Sequence, residues 1–248
     1  MAKDIQRANR MCCDVDIRDY ATKKSFLFAD FCNTTGLELS ADNTYAMKKG
    51  QKAIAFANPV ESTLTLEMQV HPFKVYTLMA DGTYESEGSV AEKKTIKCET
   101  AGELSLTLKD NASVVAGTLF VFKHGEIGED AIEGSFADGK FTATTADEIA
   151  EGEMYDVTYI ASKTSGVKIV KFTDKKQPKP YFITMSTLDT DEEGNQLPLK
   201  ITIYKGAPKK SLSFSFSSEG DPATLSIEID CMADLDGNVI DVVEDDEE

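Results

Sequence analysis

The chain of 248 residues has no tryptophan, two histidines and five cysteines, and no apolar run near the ~18 residues that a membrane-spanning helix needs. Each scarcity removes a class of function. Without tryptophan, the exposed aromatic cluster expected of a carbohydrate-binding or adhesive β-sandwich is disfavoured. The histidines, His71 and His124, stand near no serine or cysteine in a nucleophile context such as G-x-S-x-G, so they read as a packing or capping residue and a turn residue. Cys12, Cys13, Cys32, Cys98 and Cys231 include no CxxC pair and no histidine companion, which argues against zinc. They read as reduced, small core hydrophobes. Gly125, Gly128 and Gly134 lack the spacing of a phosphate-cradling loop. These absences argue against an enzyme and against any cofactor or metal.

Basic clusters are missing too. Lysines occur as pairs, Lys23-Lys24, Lys48-Lys49, Lys175-Lys176 and Lys209-Lys210, which suits solvated turns better than sequence-specific nucleic-acid binding. The opening MAKDIQRANR is charged and has no apolar core of a secretory signal, so the expectation is a soluble protein synthesised in a cytoplasm. Asp189-x-Asp191-x-Glu193-Gly194 imitates half of a calcium loop, but Lys200 stands where the bidentate glutamate belongs. An acidic hairpin is the better reading there, and for Asp234-x-Asp236-Gly237.

What is present is acid in blocks and apolar residues in alternation. The net charge is −17, and two segments carry it: Glu126 to Asp156 holds ten acids against one lysine, and Asp230 to Glu248 nine acids and no base. The rest is close to neutral. Between Leu199 and Cys231 three runs alternate strictly, Leu199/Ile201/Ile203, Leu212/Phe214/Phe216 and Leu225/Ile227/Ile229, beginning thirteen residues apart. Successive side chains on a strand point to opposite faces, so each run predicts one buried and one polar face of an antiparallel sheet.

Along the chain, residues 1–10 read as a mobile arm, and strands are predicted at Met11–Ile17 and, buried on both faces, at Ser25–Cys32. Thr34–Gln51 is polar and reads as a long loop with at most a brief strand at Gly36–Leu39, and Lys52–Asn58 reads as a short strand ending at Pro59. Thr63–Val70 alternates again. Pro72, Val75, Tyr76 and Met79 then follow a helical spacing before Gly82, predicting one short amphipathic helix. After Gly102 the pattern suggests an inserted immunoglobulin-like β-module over 103–173, with a hairpin at Asp138-Gly139 and a capping box from Thr145 to Glu148. TDKKQPKP, Thr173 to Pro180, reads as a linker. The division is therefore 1–102 with 174–248 as one discontinuous domain, 103–173 as the insertion, and 241–248 as an acidic tail.

Three stretches carry a family resemblance. FSFSSEGDPATLSIEIDCMAD (Phe214–Asp234) resembles the closing hairpin of phage major tail tube proteins. VESTLTLEMQVHPFKVYTLMADG (Val60–Gly82) is similar to their strand-to-helix element, and AGTLFVFKHGE with EGEMYDVTYIA to the hairpins of their inserted module. The resemblance implies a mainly β fold, a tail-tube-type β-sandwich with one helix, assembling as homohexameric rings stacked into a conduit for the genome. It implies a place in the virion tail, with tape-measure, sheath, terminator and baseplate proteins as further partners, DNA passing without specific binding, and no membrane. The N-terminal arm, the 34–51 loop and the tail would make ring-stacking contacts, with Arg7, Arg10, Asn43, Lys48 and Lys49 as candidates. Lys200, Ser226, Glu228 and Asp230 on the polar sheet face would line the lumen. A terminator, a hub or a β-sandwich adhesion module are the competing readings.

Overall fold

The computed structural model describes residues 6–213, 216 and 218–244. The fold is mainly β, divided into two compact units: residues 1–83 with 171–248, and residues 84–170. The first unit opens with β1 (Arg7–Ala8), β2 (Asp14–Asp19), β3 (Ser25–Ala29), β4 (Thr34–Ser40), β5 (Asn43–Lys48), β6 (Gln51–Ala57) and β7 (Glu61–Met68), then a 3₁₀ helix, Phe73–Met79. The second unit holds β8 (Gly88–Lys97), β9 (Glu103–Ser105), β10 (Ala112–Val114), β11 (Phe120–Lys123), β12 (Gly134–Ala137), β13 (Lys140–Ala143) and β14 (Met154–Lys163). The chain returns to the first unit with β15 (Tyr181–Asp191), β16 (Gln196–Pro208), β17 (Leu225–Met232) and β18 (Ile240–Glu244).

One nine-stranded sheet organises the first unit, in the order β3-β2-β15-β16-β17-β7-β4, with β1 added to β15 and β18 to β16. Alternation sets its faces. Leu225, Ile227, Ile229 and Cys231 of β17 are buried beside Leu64, Leu66 and Met68 of β7, and their neighbours point outward. β15 takes one edge of β16, while the other edge is shared by β18 at Leu199–Ile203 and β17 at Lys205–Pro208. Gly206 sits at that transition, where a Cβ would stand 2.8 Å from Ile183 Cδ1 and 2.9 Å from Ile229 Cγ2. Only glycine fits so close an approach.

The helix differs from the expected period. It is a 3₁₀ helix preceded by extended Pro72, and it buries Val75, Thr77, Leu78 and Met79. With three residues per turn, Val75 and Leu78 eclipse, so Leu78 joins the buried stripe and Tyr76 moves toward its margin. In β3 only Leu27 and Ala29 are buried and Phe28 is exposed, so burial is one-sided. Of the strand expected at Leu212–Phe216, Leu212 and Ser213 lie in no strand and Phe216 is exposed, while Phe214 and Ser215 lie outside the described residues.

The second unit is wider than the 103–173 insertion expected, because β8 pairs with β14 over ten residues, from Gly88↔Lys163 to Lys97↔Met154. Its core gathers Cys98, Leu104, Val121, Phe141, Tyr155, Val157 and Tyr159. The Asp138-Gly139 hairpin is present, with φ of +51° and +78°. Thr145 precedes a single 3₁₀ turn but makes no side-chain cap, so the capping box is absent.

Candidate self-assembly surface

The stretch expected as a loop is mostly strand. β4 pairs with β7 over seven residues, and β5 and β6 form a separate two-stranded sheet, pairing only with each other. Lys49 and Gly50, at φ +51° and +79°, make the turn, the left-handed pair that matches strand twist in tight hairpins. This hairpin covers almost nothing: Met47, Ile54 and Phe56 are 60%, 58% and 56% exposed. Register puts Ala46, Ile54 and Phe56 toward one face and Tyr45, Met47 and Ala55 toward the other. Both faces therefore present apolar side chains to water. A lone two-stranded ribbon is marginal in isolation, and exposed apolar surface of this kind marks an interaction site.

The sheet offers further surfaces. Its terminal strands β3 and β4 each have one edge without a strand partner among the described residues, leaving backbone donors and acceptors open to pairing. On the outer face, Ser226, Glu228 and Asp230 stand opposite Glu67, Thr65 and Thr63 of β7. Lys209 Nζ bonds Glu228 Oε2 at 3.0 Å and Asp230 Oδ1 at 3.2 Å. One lysine against these acids leaves the face negative.

The profile of the YomU/Tube protein family matches residues 12–243. The chain belongs to that family. It is a phage tail tube protein, a structural component of the virion tail that associates with itself into a tube, which implies a structural and not a catalytic role. No curated protein matches it.

In this tube protein the residues singled out from sequence separate into groups. Asn43, Lys48 and Lys49 share the β5–β6 hairpin. Arg10 is exposed between β1 and β2. Arg7 lies apart, in β1, where it donates to Glu244 Oε2 at 2.6 Å. The arm is thus docked from residue 7 onward: β1 pairs with Thr190 and Asp191, and Asn9 Nδ2 donates to Asp189 Oδ1 at 2.9 Å. The expected acidic tail begins as strand β18, and residues 245–248 lie outside the described residues. Ser226, Glu228 and Asp230 form one row on β17, whereas Lys200 stands on β16 between Ser186 and Val243. Met47, Ile54 and Phe56 were not singled out from sequence. Their signal was apolar residues flanking Lys49-Gly50, hidden because neither hairpin face is buried within one chain.

The calcium-like motifs resolve into two matching turns. Asp191 Oδ1 accepts the backbone N–H of Glu193 and Asn195 at 2.9 and 2.7 Å, and Oδ2 accepts Asn195 Nδ2 at 2.8 Å. Asp234 does the same with Asp236 and Asn238 at 2.9 and 2.8 Å. Carboxylates occupied in this way close hairpins, and hydrogen bonds to their charged form hold both below the usual carboxylate range. In the second unit Asp156 is fully covered. Its carboxylate accepts from Gly125 N–H at 3.0 Å and Thr95 Oγ1 at 2.6 Å, beside His124 Nδ1 and Lys93 Nζ, each at 3.2 Å. The Gly125 and Thr95 bonds above all hold this carboxyl well below its ordinary range. His124 is therefore a partner of a buried acid as well as a turn residue. His71 Nε2 lies 2.8 Å from the Tyr76 hydroxyl, a packing contact beside the helix. Cys98 and Cys231 are buried and Cys12 is exposed; burial above all pushes the Cys32 thiol up to about 11.

Proposed function

We propose that this tube protein assembles as hexameric rings that stack into the conduit through which a phage genome is delivered. The observation that carries the reading is the β5–β6 hairpin, apolar on both faces and uncovered, in a protein whose family forms tubes. Such a hairpin becomes stable when neighbouring copies cover it, so it serves as the contact between subunits, with Asn43, Lys48 and Lys49 on it. The open edges of β3 and β4 suit continuation of the sheet from copy to copy into a closed barrel. Ser226, Glu228 and Asp230, with Lys200 further along the sheet, then face the lumen. A negative wall repels DNA and lets it pass without adhesion. Arg7, Arg10 and the tail contribute to stacking, and the 84–170 unit is an inserted immunoglobulin-like module. Tape-measure, sheath, terminator and baseplate proteins are the further partners of such a tube, made in the host cytoplasm. Negative-stain electron microscopy of the concentrated protein tests the reading: rings or tubes about 100 Å wide are expected from six subunits of this size, and dispersed monomers across several salt conditions contradict it.

A further inference from the structure

Three of the five cysteines gather at one corner of the large sheet, and all five are free thiols. Cys12 and Cys13 immediately precede β2, and Cys32 follows the end of β3 by three residues. Those strands pair antiparallel, with Ile17↔Leu27, Asp16↔Phe28 and Val15↔Ala29. Carried on past β3, the same register sets Asp14 opposite Asp30, Cys13 opposite Phe31 and Cys12 opposite Cys32. Packing agrees with it: Cys13 and Phe31 both rest against the core, on the face that holds Val15 and Ala29. Thr35, three positions beyond Cys32, draws the segments together. Its Oγ1 accepts the Cys13 backbone N–H at 3.1 Å and lies 3.6 Å from Cys12 Sγ. Directly opposed residues on antiparallel strands hold their Cα atoms about 4.5–5.5 Å apart, inside the roughly 4.4–6.8 Å span of disulfides.

The two sulfurs have different surroundings. Cys12 is exposed, whereas Cys32 is half-buried, and burial above all, then the neighbouring Cys12, raises the Cys32 thiol. A raised thiol stays protonated and reacts slowly, which keeps the pair reduced wherever oxidant is scarce. The tail of a released virion stands in oxidising surroundings, where disulfides persist. We infer that Cys12 and Cys32 form an intramolecular disulfide when a soluble disulfide is supplied as oxidant, fastening the start of β2 to the end of β3. The Cys12 thiolate attacks the soluble disulfide, giving a mixed disulfide and releasing one small thiol. Cys32 gives its proton to water and attacks the Cys12 sulfur; the Cys12–Cys32 bond forms as the second small thiolate leaves and takes up a proton. Two protein thiols are oxidised and one soluble disulfide is reduced to two thiols. The bond encloses about twenty residues, the whole β2–β3 hairpin, and so removes conformational freedom from the unfolded chain. It lies within one chain and does not depend on how copies meet.

Oxidised glutathione added to the full chain under native, mildly alkaline conditions tests it. Two of the five thiols should be lost per chain, mass spectrometry of a digest should find Cys12 linked to Cys32, and the product should run as a single chain on a non-reducing gel. Its melting temperature should rise by about 5–10 °C and fall back when dithiothreitol is added. C13S, its fold checked by circular dichroism, should form the same bond, whereas C32S should stop at the mixed disulfide and carry one glutathione on Cys12. All five thiols still free after prolonged oxidation, a bond that joins two chains, or a link that maps to Cys13 would each overturn the pairing. So would loss of the bond in folded C13S.

Discussion

The Arg7 guanidinium donates to Glu244 Oε2 at 2.6 Å, joining the first described strand to the last. β1 and β18 pair along the backbone with β15 and β16, Tyr204 donates to Asp241 of β18, and Val242 and Val243 are exposed. Segments of that kind open at low free-energy cost. R7A should therefore speed amide exchange in residues 7–8 and 240–244 while changing global stability by no more than about 1 kcal/mol, the usual limit for an exposed pair. Exchange unchanged in both strands would show that the ion pair contributes nothing to holding them.

Gly206 should tolerate no side chain. With Ile183 and Ile229 within 3 Å of the missing Cβ, G206A should cost about 1–3 kcal/mol by overpacking, measured by denaturant unfolding. Gly36, in the edge strand β4, has nothing within 4 Å of its Cβ position, so G36A serves as the control and should be close to neutral.

Asp156 sets the acid tolerance of the 84–170 unit. Its carboxyl is held below the ordinary value by Gly125 and Thr95, so the unfolded chain binds the proton more readily than the folded one. The stabilisation is complete above the unfolded value of about 4 and is lost as pH falls through the lower folded value. In D156N that dependence disappears. Thermal unfolding followed from pH 7 to pH 2 should show a steeper acid loss in the unchanged protein than in D156N, although D156N is the less stable at pH 7. Parallel curves would contradict the assignment.

Much of the central sheet was legible because its strands bury one face. Leu64/Leu66/Met68 and Leu225/Ile227/Ile229 alternate in sequence and lie buried together in space. The helix was placed correctly but with the wrong period, since a 3.6-residue stripe and a 3.0-residue stripe diverge within two turns, and Leu78 falls on the second. The extent of the second unit depends on β8 pairing with β14 about sixty positions later, which no local pattern announces. Of the hairpin, the second strand was legible at Lys52–Asn58, whereas the first read as loop, for the opposite reason to the sheet's success. Tyr45, Met47, Ile54 and Phe56 point to two uncovered faces, so alternation never separates a polar side from an apolar one. A surface completed by another copy has no partner in its own sequence.

The hairpin's apolar residues give the most direct test of the account. M47S/I54S/F56S removes exposed side chains that touch little within the monomer, so folding, followed by circular dichroism and thermal unfolding, should be nearly unchanged. Sedimentation velocity across a concentration series should show the unchanged protein passing into large assemblies while the triple variant stays as a slow, single species. Tubes formed by the triple variant at the same concentration as the unchanged protein would contradict the claim that this hairpin joins one subunit to the next.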